Sequence, residues 1–181
     1  MNAPSQTTDR ALAQRVAALV AHFEQVRTER MQGIPLLNPL LMVEAVGFCW
    51  ASTPTDADAA VEPVAEGVLV TPWFMSLVRL PARWQPHGNQ VGRKFVRDFG
   101  SERFDFIGAH DPAVGYHETC ALFSPMQGFD SQARAVETAR EALALTRPRP
   151  VAPAPVAVRE PMPSRRAFFM PGRSAAGGAA R

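Results

Sequence analysis

Along residues 9–31, DRALAQRVAALVAHFEQVRTERM, apolar side chains recur at Leu12, Val16, Leu19, Phe23 and Val26, spaced by four and three. This is the stripe of an amphipathic helix with one face to bury, and Thr7 or Thr8 stands where an N-cap hydroxyl is wanted. The GIPLLNPLL that follows holds two prolines, each of which pushes the residue before it out of helical geometry, so the helix yields to a well-defined loop. From Leu41 to Ser124 the period changes. Short β-prone runs, LMVEAVGFCW, GVLVTPWFMSLVRL, RKFVRDFG, RFDFIG and ETCALFS, separated by turn residues, predict four to six strands. Connections too short for crossover helices imply antiparallel pairing through hairpins, with Pro72 breaking or bending the second run. STPTDADAAVEP, between the first two runs, is polar and aperiodic and predicts an exposed loop. A second helix is predicted from an N-cap at Asp130 or Ser131, with Ala133, Val136, Ala139 and Leu143 on its apolar stripe. The fold class that results is α+β: a two-layer domain in which an antiparallel meander carries an N-terminal and a C-terminal helix.

Composition changes this picture mainly past Thr146. RPRPVAPAPVAVREPMP is proline-rich and aperiodic, so residues 147–181 are expected to form a disordered, extended tail behind a domain of residues 1–146. The net charge of +2 hides an asymmetry: seven arginines face one glutamate from Arg147 onward, against 12 basic and 16 acidic residues before it. A basic tail invites a nucleic-acid reading, but Lys94 is the only lysine and no basic groove interleaved with aromatics is evident, so nucleic acid is not expected as a partner. No run of about 18 uncharged apolar residues predicts a membrane span, and MNAPSQTTDRALAQRV lacks a secretory pattern. A cytoplasmic location is the expectation.

The cluster richest in catalytic residue types is HDPAVGYHETC, with His110, Asp111, His117, Glu118 and Cys120. Its spacing demands no convergence on a metal, and a polar hairpin loop entering a strand is the better explanation. No phosphate loop or nucleophile elbow is present, so neither catalytic nor metal-binding residues are expected. Cys49 and Cys120 have no CxxC partner and are expected to be reduced and half-buried. In GVLVTPWFMSLVRLP, large apolar residues fall on both sides of any strand alternation. Either both faces are covered, or Trp73, Phe74 and Met75 form an apolar platform for another chain. Phe123 and Met126, flanking a Ser-Pro turn, raise the same question.

Taken together, GIPLLNPLLMVEAVGF, GVLVTPWFMSLVRLP, CALFSPM and the terminal SRRAFF resemble the HybE family of [NiFe]-hydrogenase assembly chaperones, also called HupJ-type proteins. The resemblance implies a non-enzymatic, cytoplasmic maturation factor without a cofactor. It also implies association with hydrogenase precursors, chiefly the large subunit, and a link to pairing with the small subunit, whose twin-arginine signal directs export. Some relatives carry a rubredoxin domain, which this chain, lacking CxxC pairs, does not match. The partner-binding residues expected on this reading are Trp73, Phe74, Met75, Phe123, Met126, Arg165, Arg166, Phe168 and Phe169. The last four reproduce the start of a twin-arginine signal without its apolar continuation, as a decoy or tether would. The competing readings are a small metal- or thiol-dependent enzyme using His110, His117 and Cys120, and an adaptor whose tail is read by the export machinery.

Overall fold

The computed structural model describes residues 3–51 and 62–147, with side chains from Thr8 onward. The chain divides into two units, Met1–Arg149 and Pro150–Arg181, and the described residues all belong to the first. The order is α1 (Ala3–Glu29), β1 (Glu44–Trp50), β2 (Val64–Val70), β3 (Met75–Pro81), β4 (Lys94–Phe99), β5 (Glu102–Asp111), β6 (Gly115–Phe123) and α2 (Gln132–Thr146). The first helix starts earlier than an N-cap at Thr7 or Thr8 implies; Pro4 falls in its first turn, where a missing N–H costs no helical hydrogen bond. The second starts as read, with Ser131 as N-cap accepting from Arg134 N. Its buried stripe runs through Ala135, Val136, Ala139 and Leu143, leaving Ala133 exposed.

All six strands pair antiparallel in the order β1-β2-β3-β6-β5-β4. Two three-stranded meanders are thus joined side by side through β3 and β6. The segment 82–93 carries the chain to the far edge and is tied down on the way, Tyr116 N donating to Gln85 O at 2.8 Å and Trp84 Nε1 to Pro112 O at 3.0 Å. Pro72 does break the second apolar run, into β2 and β3.

The α+β class and both packed helices are those expected from the pattern; the layering is more specific, because the helices take opposite faces of the sheet. Leu19 of α1, with Leu12, Val20 and Phe23 beside it, packs on Ala65, Leu69, Val78 and Leu80. Ala135, Val136, Ala139 and Leu143 of α2 pack on Val46, Val68, Val70, Met75, Leu77, Phe99 and Phe106. The two-sided apolarity of β2 and β3 follows directly, each buried Leu or Val contributing about 1.5–3 kcal/mol. Arg147 fastens the end of α2, its Nη1 donating to Gly47 O at 2.6 Å and its Nη2 to Glu66 O at 2.7 Å. The tight β4–β5 turn closes against the same helix end: Ser101 N donates to Thr146 O at 2.7 Å, and Gly100, at φ 63°, leaves no room there for a Cβ.

Candidate functional site

Three loops meet at one end of the sheet: the α1–β1 loop (30–43), the β2–β3 turn (71–74) and the segment after β6 (124–131). Buried Asn38 joins them. Its backbone N donates to Pro72 O at 2.9 Å, its Nδ2 donates to Met126 O at 3.0 Å and Phe129 O at 2.8 Å, and its Oδ1 accepts from Leu40 N at 3.0 Å. Gln127 Nε2 donates to Leu36 O at 2.8 Å, and Gln132 Oε1 accepts from Met42 N at 2.9 Å. The Thr71 hydroxyl shapes the central turn, accepting from Phe74 N at 2.9 Å and donating to Phe74 O at 2.9 Å. Such polar stitching lets a loop hold apolar side chains outward without collapsing onto them. Leu40 is 59% exposed, Met42 60% and Phe123 42%, with Ile34 and Leu36 exposed alongside. Trp73 and Phe74 are half-buried, packed edge-on to each other (5.7 Å) and against Phe23 of α1 (6.3 and 5.5 Å).

Two of the residues expected at a partner surface are corrected by their burial. Met75 is the first residue of β3, paired with Val70 and Phe123, and is fully enclosed in the α2-side core. Met126 is equally enclosed there, beneath the loop that Asn38 holds. Both support the surface from below. Arg165, Arg166, Phe168 and Phe169 lie outside the described residues, as does most of the 52–63 loop. Conversely, Ile34, Leu36, Leu40 and Met42 are exposed at this end without being among the residues expected there; apolar side chains alternating with prolines in a segment too broken to be a helix are the signal that points to them.

A second feature lies on the α2 face of the sheet, beyond the reach of that helix. A pocket of about 290 Å³ is lined by Glu62, Arg79, Gln85, Arg97, Tyr116 and Glu118, among others. Glu118 accepts from Arg97 Nη2 at 2.7 Å, Tyr116 Oη at 3.0 Å and Arg79 Nη1 at 3.4 Å, while Arg79 Nε donates to Glu66 at 3.0 Å. Burial raises the Glu66 carboxyl above its ordinary value against the pull of Arg79, and burial together with Glu118 pushes the Tyr116 phenol up to about 12. The hydrogen bonds that Arg97 donates to Glu118 raise the pKa of its guanidinium and hold it charged. Each charge is answered within the network, which therefore braces the sheet where no helix covers it.

His110, His117 and Cys120 do not come together. His117 pairs with Ala109 on the α1 face of β6, Cys120 pairs with Leu77 on the α2 face, and His110 sits at the far end of the β5–β6 hairpin. His117 is buried, donating from Nδ1 to Gly115 O at 3.0 Å, and burial lowers its pKa. Burial also raises the Cys120 thiol, which disfavours the reactive thiolate. Cys49 is exposed, on a strand separated from that of Cys120 by β2 and β3, a gap of about 14 Å that no disulfide spans. Among the described residues no group of three His, Cys, Asp or Glu side chains could hold a metal ion, and no helix is long and apolar enough to cross a membrane. The loop end presents exposed apolar side chains, Leu40, Met42 and Phe123, on loops held by hydrogen bonds.

Residues 14–171 match the sequence pattern of the family described as [NiFe]-hydrogenase assembly, chaperone, HybE. The chain is 41% identical over 149 residues to Protein HoxT of Cupriavidus necator, covering 78% of this chain and 80% of that one. It is 38% identical over 167 residues to the hydrogenase expression/formation protein HoxT of Azotobacter vinelandii, covering 90% of this chain and 96% of that one. To a Rhodobacter capsulatus protein named as a probable rubredoxin, HupJ, it is 34% identical over 139 residues, which are 76% of this chain but 46% of that longer protein. The solution structure of HybE from Escherichia coli aligns over 89% of this chain and 91% of its own, at 20% identity and a TM-score of 0.46.

Proposed function

The chain belongs to the HybE family of [NiFe]-hydrogenase assembly chaperones, and from that membership we propose that its loop end is where it holds a hydrogenase subunit precursor, chiefly the large subunit, until assembly is complete. The protein works in the cytoplasm, by binding alone, ahead of twin-arginine export of the assembled pair. The observation that carries this reading is the outward-facing apolar set Leu40, Met42 and Phe123 on loops that Asn38 ties together. An incompletely folded client exposes apolar surface, and a chaperone that recognises it needs a complementary patch that does not collapse in the client's absence. Methionine and leucine side chains suit a client whose surface changes as it matures. Trp73 and Phe74 border the patch, and the tail residues Arg165, Arg166, Phe168 and Phe169 are proposed as a second contact, made with the client or its partner subunit.

The test is a paired substitution, Leu40→Asp with Met42→Asp, in cells expressing a hydrogenase operon. Both side chains are exposed, so thermal unfolding of the variant should match the parent, while co-purification of the large-subunit precursor should fall by about tenfold or more. Retention of the precursor at parental levels by a folded variant overturns the assignment of the surface.

A further inference from the structure

Strand β4 is an edge strand, and its sequence is complementary to itself when reversed. The two-residue turn Gly100–Ser101 makes Phe99 and Glu102 the first hydrogen-bonded pair of the β4–β5 hairpin, followed by Arg97 with Phe104 and Phe95 with Phe106. The backbone N–H and C=O groups of Lys94, Val96 and Asp98 therefore point away from β5, and among the described residues nothing bonds to them. The side chains along this edge are also uncovered on the α1 face: Val96 is 56% exposed, and Ile107, paired with Lys94, is 45% exposed.

We propose that this edge pairs with the same edge of a second copy of the chain, antiparallel and centred on Val96, so that the two sheets become one across a twofold axis. In that register Val96 meets Val96, Lys94 meets Asp98 of the second copy twice over, and Phe95 meets Arg97 of the second copy on the opposite face. Each of the three outward residues donates and accepts once, closing a ladder across the seam. Lys94 and Asp98 are both exposed on the same face, and Arg97 already lies over the Phe95 ring within one copy, 4.9 Å from its centroid. Charge selects the register. Parallel pairing would set Lys94 against Lys94 and Asp98 against Asp98, and a shift by two residues along the strand would unpair both ion pairs and move Val96 off the axis. Lysine on an edge ordinarily repels foreign strands; placed two residues from Val96, with aspartate two residues beyond, it repels others and accepts its own kind. The seam is one strand wide, so the association is weak and depends on concentration.

Sedimentation equilibrium of the full chain over a concentration series tests this, with circular dichroism verifying the fold of each variant. The parent should show a monomer–dimer equilibrium. Lys94→Glu and Asp98→Lys, each placing like charges at both ion pairs, should each weaken dimerisation by roughly tenfold or more. Mixing the two single variants should restore a dimer, because Glu at 94 of one then faces Lys at 98 of the other and the native Asp98 faces the native Lys94; the double variant should dimerise alone. A parent that stays monomeric up to millimolar concentration overturns the proposal. So do single variants that dimerise as the parent does, which would put the contact elsewhere, and single variants that the mixture fails to rescue.

Discussion

Asn38 does for the loop end what a disulfide or a metal does elsewhere: one residue fixes three segments far apart in sequence, its side chain tying its own loop to residues 126–129 and its backbone N–H holding Pro72. Replacing it with alanine leaves the carbonyls of Met126 and Phe129 without their donor in a buried setting and removes the acceptor for Leu40 N. The expected loss is about 2–4 kcal/mol in denaturant unfolding. Asn38→Asp, nearly identical in shape, should be at least as damaging, because a carboxylate would then face two carbonyl oxygens; if Asn38→Asp unfolds at the parental midpoint, the bonding assigned to Nδ2 is wrong. None of this was legible beforehand, since an asparagine between two proline turns looks like any polar loop residue until its partners, some ninety positions away, are known. His117 carries a different prediction. Burial lowers its pKa from the usual 6.5, with His22 and Arg15 of α1 and Asp111 of β5 as its ionisable neighbours. Above 6.5 the imidazole is neutral folded or unfolded and contributes nothing to pH dependence. Below it the unfolded chain takes up a proton that the native state declines, so stability falls by up to about 1.4 kcal/mol per pH unit from this group. Glu66 acts in the opposite sense, its raised pKa letting the native state take up a proton before the unfolded chain does. The comparison is therefore with His117→Gln, in which the slope just below 6.5 should flatten while that of the parent persists; equal slopes would contradict a buried neutral histidine.

At the scale of elements, local signals carried far and stopped at pairing. Pro72 marked the β2–β3 break, Ser131 capped α2, and the short connections dictated antiparallel neighbours. That β3 pairs with β6 rather than β4 is decided by contacts between distant segments, which turn chemistry does not encode. The apolarity of GVLVTPWFMSLVRL on both sides announced cover on both faces without saying that α1 and α2 would take one each. It also drew attention to Met75, whose burial is the consequence of that cover. The charged network was not legible for a related reason: Glu66 and Arg79 occupy strand positions that look like ordinary outward charges, Glu118 stands out only as part of HDPAVGYHETC, and only the register Glu66–Arg79–Glu118 aligns them. Glu118→Gln should leave the Arg79 and Arg97 guanidiniums without their common carboxylate, at a cost of roughly 3 kcal/mol in urea unfolding. An unchanged midpoint would mean that solvent in the pocket replaces the carboxylate, and that the network does not brace this half of the sheet.

For the whole molecule, the division of labour runs along the strands. Among the described residues one helix packs on each face of a six-stranded sheet, and one end of that support presents Leu40, Met42 and Phe123 on stitched loops. Family membership was legible in the sequence, and three of the four segments that carried the resemblance, GIPLLNPLLMVEAVGF, GVLVTPWFMSLVRLP and CALFSPM, contribute to the loop end that Asn38 ties together. The central claim, that the protein grips a hydrogenase subunit before it is complete, is tested most directly by affinity purification from cells expressing the hydrogenase operon, grown with and without nickel. The account predicts that the unprocessed large subunit is recovered, and recovered in greater amount without nickel, when its metal site cannot be finished. Recovery of only the processed subunit, or of none under either condition, would contradict it.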